Sequence, residues 1–196
     1  MPTTLVMFLC LILAACKDNT PAPAAAPPAA SQPSLQSQAH VDNAAETAAL
    51  KLALDSEGLR IVNTVSGASR LVPFGTSRAD LVKAVSAAQK AQPLLQGDNL
   101  TCRAAYATWP SGLTAFFSKD RFAGWSALHA DPTLVTASGI GVGSSRAELE
   151  GAYKILVTAS TLGSEFTAGG LAGLLDSVRP DAKVTALWAG MTCNTE

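Results

Sequence analysis

The chain repeats itself, and that limits its fold more than any other feature. The segment FGTSRADLVKA at 74–84 returns as VGSSRAELEGA at 142–152, an offset of 68 residues, with six of eleven positions identical and three more conservative. Self-similarity of this kind implies two copies of one supersecondary unit. Its physical content is a helix start. Ser77 is followed three residues later by Asp80, and Ser145 by Glu148, the spacing at which a hydroxyl and a carboxylate cap a helix reciprocally. Each acid also complements the positive end of the helix dipole. The preceding Gly75 and Gly143 permit a sharp turn into the helix. Beyond the cap, Leu81, Ala84, Val85 and Ala88 fall on one helical face, as do Leu149, Ala152 and Tyr153 in the second copy.

Strands are expected after each helix. In the first copy they fall at 101–108, 113–117 and 122–128, with turns at 109–112 and 118–121. In the second they fall at 155–158, around Phe166, at 171–175 and at 184–188. An introductory hairpin is expected from 59–62 and 70–72. The expected class is α+β, with two related units, each a short capped helix followed by antiparallel strands. They span about 59–130 and 131–196 within one domain, 45–196.

Before that domain lies a segment of another kind. Residues 5–13 read LVMFLCLIL, the length of a signal-peptide core and too short for the ~20 residues a membrane-spanning helix needs. Leu13-Ala14-Ala15-Cys16 follows. This resembles the lipobox of bacterial lipoproteins. The resemblance implies a signal peptide at 1–15, cleavage by signal peptidase II, and a lipid on Cys16 that anchors the chain to a membrane. No Lys or Arg precedes Cys16, although signal peptides usually open with positive charge. Either translation starts upstream or the amino terminus supplies that charge. Lys17 follows the cysteine, where enterobacterial lipoproteins kept in the inner membrane resemble one another in carrying Asp. By that logic the expected place is the outer membrane, facing the periplasm, if the host is Gram-negative. Residues 16–44 are rich in Pro, Ala, Ser and Gln, a composition that favours an extended, disordered tether.

Four cysteines then sort themselves. Cys10 leaves with the signal peptide and Cys16 carries lipid, which leaves Cys102 and Cys193. In an exported chain a disulfide between them is the economical expectation, with two buried free thiols as the alternative. No CxxC and no histidine cluster accompanies them, so neither a metal nor any other cofactor is expected.

Candidate chemistry is sparse. Gly139 to Ser145 (GIGVGSS) lacks the lysine and the spacing of a phosphate loop. His129 stands beside Asp131 without a recognisable nucleophile, and Glu165 without a second carboxylate. Fourteen basic residues against fifteen acidic ones, a net charge of -1, leave no basic surplus for nucleic acid. Arg78 and Arg146 sit at the start of each helix, where positive charge is unfavourable. An ion pair, packing of the aliphatic stem or a partner contact would each account for them. Trp109, Trp125 and Trp188 belong either to the core or to a binding surface. Arg78, Trp125, Arg146 and Trp188 are the candidate partner surface.

The pattern G-[ST]-[ST]-x-x-[DE]-[LV], at Gly75 to Leu81 and Gly143 to Leu149, resembles the helix starts of SmpA/OmlA-type outer-membrane assembly lipoproteins and of tandem β-lactamase inhibitory proteins. The resemblance implies a non-enzymatic module, tethered to the envelope, that binds a protein partner. An inhibitor or immunity-type protein against an exported enzyme, or an envelope hydrolase, are the alternatives.

Overall fold

Residues 50–55, LKLALD, place a leucine at every second position, and Leu52 and Leu54 are buried while Lys51 is exposed. That period of two builds the first strand. The computed structural model describes residues 49–193. The expected signal peptide, Cys16 and the tether lie outside the described residues. Strands β1 (Leu50–Asp55), β2 (Gly58–Asn63) and β3 (Ser69–Pro73) form an antiparallel three-stranded meander. Helix α1 (Arg78–Gln89) follows, then β4 (Leu95–Asn99), β5 (Ala104–Thr108), β6 (Leu113–Ser118) and β7 (Arg121–Ala127). Helix α2 (Arg146–Ala152) precedes β8 (Leu156–Ser160), β9 (Gly163–Ala168), β10 (Leu171–Leu175) and β11 (Val184–Gly190).

These last eight strands make one antiparallel sheet in the order β4-β5-β6-β7-β11-β10-β9-β8. The seam at its centre pairs Gly190 with Gly124, Ala189 with Trp125, Trp188 with Ser126 and Leu187 with Ala127.

The expected α+β class is therefore corrected. Among the described residues eleven strands stand against two helices, of 12 and 7 residues. The architecture is a β-sandwich-like pair of antiparallel sheets. The physical reason is that the eight strands share one continuous sheet, in which helices serve only as part of the cover. One core joins the layers. Leu54, Leu59 and Val72 of the small sheet, Leu81 and Val85 of α1, and Leu149 of α2 pack with Phe117, Phe122, Trp125, Phe166 and Leu187 of the large one.

The repeated segment has the same job in both places. Ser77 and Ser145 are the N-caps, accepting from the backbone N–H of Asp80 and Glu148. Just before each cap the chain bonds to the start of a strand. Gly75 N–H donates to Phe122 O and Phe122 N–H to Thr76 O; Gly143 N–H donates to Val184 O and Val184 N–H to Ser144 O. Gly75 and Gly143 hold φ of 91° and 96°, which side chains resist. The glycine-rich stretch at 139–145 is thus a loop pinned to a strand and leading into a capped helix.

At the second cap, the Ser145 backbone N–H and hydroxyl both donate to Glu148 Oε2, at 2.7 and 2.8 Å. The backbone bond first, then the hydroxyl, holds this carboxyl below its ordinary value. A carboxylate depressed in the folded state adds stability above its unfolded pKa and loses it as pH falls through the folded one. Glu148→Gln should accordingly be less stable than the parent at neutral pH, with the gap closing as the carboxylate range is crossed downward. Urea titrations at pH 7 and pH 3 check this; a gap that widens in acid overturns it.

Candidate partner-binding face

One face of the large sheet is filled by the core. Its other, outer face carries a row that register alone defines. Leu95, Thr108, Thr114, Ser126, Trp188, Ala172, Thr167 and Leu156 lie side by side across all eight strands. Opposite residues of an antiparallel pair share a face, so all eight side chains emerge together. The leucines at the two ends are 61% and 64% exposed, and the Thr108 and Thr114 hydroxyls bond at 3.0 Å. A second row runs through Gly97, Tyr106, Phe116 and Gly124.

Over that second row passes the end of the chain. Gly190 turns at φ 70° out of β11, and Met191 N–H donates to Ala123 O at 2.8 Å. The Met191 backbone then lies where a Cβ on Gly124 would be. Cys193 meets Cys102, in the β4–β5 connection, at disulfide distance, with Cα atoms 5.7 Å apart and 91 residues between them in sequence. Three residues thus strap the outer face from the central seam toward the β4 side.

The sequence-expected site residues separate. Trp188 belongs to the outer face at 8% exposure. Trp125, expected on a partner surface, is corrected to the core. It is 0% exposed and its Nε1 donates to Asp55 O at 2.9 Å. Trp109 is likewise internal, bonded to Ser86 Oγ at 3.2 Å. Arg78 reaches toward β4, with Nη2 3.3 Å from Gln96 Oε1 and its guanidinium 5.3 Å from the Phe117 ring centroid. Arg146 pairs with Glu150 at 2.7 Å and donates to Val178 O at 2.5 Å. Both arginines are engaged within the chain, which accounts for positive charge in a first helical turn without a partner contact.

The acids and His129 do not converge. Glu165 lies on the outer face, opposite Thr158 in β8. Asp131 borders a cavity of about 450 Å³ between β1 and the end of α1, with Lys51, Gln89 and Ser111, and no second carboxylate lines it. His129 is exposed beside Gly112. Among the described residues no group of three or more His, Cys, Asp or Glu is placed to hold a metal ion. No helix among them is long and apolar enough to cross a membrane.

The outer-face row escaped sequence reading because it depends on register. A hint was present in the hydroxyl residues Thr108, Thr114, Ser126 and Thr167, one near an end of each of four strands. No family model, no curated protein and no solved structure matches the chain.

Proposed function

We propose that this chain is a lipid-anchored protein of the bacterial envelope that binds a protein partner on the outer face of its eight-stranded sheet. The observation that carries the reading is that face: exposed Leu95 and Leu156 at its ends, with the Thr108, Thr114 and Thr167 hydroxyls between them beside Tyr106, flanking a centre where Ser126 and Trp188 are buried. Few charges at the centre of the patch, with Tyr106 and Trp188 among its residues, match the charge depletion and aromatic enrichment of protein-interface cores. Size narrows the mode of binding. Eight strands at ~4.8 Å and five residues at ~3.3 Å give a face of about 35 by 17 Å, on the order of 600 Å². A standard interface takes about 800 Å² from each partner. A partner that binds stably therefore covers both halves of the sheet and the strap, and reaches onto a neighbouring loop.

Anchoring rests on the lipobox resemblance at Cys16. Cys16→Ala is expected to abolish labelling by radioactive palmitate; persistent labelling would place the anchor elsewhere. For the face, a photo-crosslinking residue at Leu95 or Thr167 in intact cells, followed by mass spectrometry, should trap the same protein. Lys83, exposed on α1, is the control position. Leu95→Arg should abolish the trapped species from Thr167 while changing stability by no more than about 0.5 kcal/mol, as for other exposed positions. Equal trapping from Lys83, or no specific protein from either face position, counts against the reading.

A further inference from the structure

Four strands end the two sheets, and an unprotected edge is an invitation to pair with another chain. Three of the four are guarded. The Leu54 N–H of β1 is already bonded to Val135 O, and Leu54 bridges to Thr136. β3 carries Arg70 and ends on Pro73. β4 carries Asp98 and is gripped through Gln96 by Arg78. β8 has none of these devices. It reads LVTAS, without charge or proline, and four of its five residues are exposed. Among the described residues no strand pairs with its outer side.

We infer that β8 is a self-association edge, on which a second copy of this chain pairs antiparallel about Thr158. The local geometry supports this occupant. β8 and β9 are joined through Thr161 and Leu162, with Ser160 opposite Gly163. A two-residue turn makes that closing pair hydrogen-bonded. By the antiparallel alternation Thr158 and Leu156 also turn their backbone groups toward β9, while Val157 and Ala159 turn theirs outward. Thr158 is the middle residue of the five. A two-fold axis there sets Val157 of each copy opposite Ala159 of the other, giving about four inter-chain backbone hydrogen bonds. It also sets Thr158 against itself in the closer, non-hydrogen-bonded kind of pair, which favours two threonines. No like charges meet within the strand. The nearest, one Glu165 on each copy opposite Thr158, lie three strand spacings apart at ~14 Å. That exceeds the ~8 Å screening length at physiological salt.

The test is disulfide trapping in the full-length chain. Thr158→Cys should give a covalent dimer on non-reducing electrophoresis of gently oxidised cells, well above the parent chain. Ser118→Cys, at the far β6–β7 hairpin, should not. Sedimentation of the detergent-solubilised full-length chain gives the second reading. Thr158→Lys, which opposes two ammonium groups at the axis, should weaken the dimer about fivefold or more. Near-ultraviolet circular dichroism checks that the fold is kept. The inference fails if Thr158→Cys traps no more dimer than Ser118→Cys, if it traps only another protein, or if the parent chain sediments as a monomer at every concentration reached. The outcome is independent of palmitate labelling and of any partner found from Leu95.

Discussion

Replacing Trp125 with Ala is expected to destabilise the protein by about 3–5 kcal/mol, the range for deleting a fully buried aromatic side chain. The position explains why the upper part of that range is expected. Trp125 sits on the core face of β7 at the central seam, 0% exposed, and its indole N–H reaches across to Asp55 O at the end of β1. The same Asp55 fixes its own turn, accepting from Glu57 N–H and pairing with Arg60 at 2.9 Å. One side chain thus ties the large sheet to a rigid corner of the small one. Trp125→Phe keeps most of the apolar contact but leaves the Asp55 carbonyl without its indole donor, at a cost of about 1–3 kcal/mol. Chemical denaturation of the two variants beside the parent chain measures both. A loss below about 1 kcal/mol for Trp125→Ala would show that the sheets are held together elsewhere.

The second large effect is expected at Cys193. With Cys102 and Cys193 oxidised, Cys193→Ser should cost about 2–5 kcal/mol, and loop-closure entropy for so long a separation gives about 4–5 kcal/mol by itself. The loss should be matched by adding reductant to the parent chain, and the variant should be indifferent to reductant. Peptide mapping without reduction identifies the bond directly; free thiols at both positions in protein isolated without reductant would remove the expectation. A further sign separates this strap from a mere staple. Met191 to Cys193 lie over the outer face, so release should raise the exposure of Phe116, now 7%, and with it the binding of an apolar dye.

The contrast between Trp125 and Trp188 shows what sequence reasoning reaches. Caps are local, and Ser77, Ser145 and their acids were legible because the bonds span three residues. The cysteine pair was legible by elimination, since Cys102 and Cys193 remained once Cys10 was assigned to the expected leader and Cys16 to the expected lipid anchor. The faces of the central strands were not. β7 reads RFAGWSA and β11 VTALWAG, each with five buried residues out of seven and no clean alternation. A strand covered on both sides loses the period that marks its faces. Register shifts in β6–β7 and β10–β11 further displace the count. β4 was missed for the opposite reason. Its LQGDN offers no apolar alternation and no β-branched residue, and it is a strand because β5 pairs with it. With β1 and β4 unseen, the two capped helices carried too much weight in the expected class.

The central seam has a consequence for the order in which the protein can be assembled. A chain made from its amino terminus completes β4 to β7 as successive hairpins, and later β8 to β10 in the same way. β11, the last of the described strands, joins them, since among the described residues it alone pairs with both β7 and β10. Until it arrives, the inner edge of β7 is bare from Gly124 to Ala127, the stretch that holds Trp125. From the completion of β7 at Ala127 until β11 begins at Val184, nascent protein therefore carries an open, largely apolar ledge, a state prone to wrong pairing and the kind that chaperones shield. Loss of the final strand through truncation would leave every copy in that condition, with two half-sheets and no means of joining them.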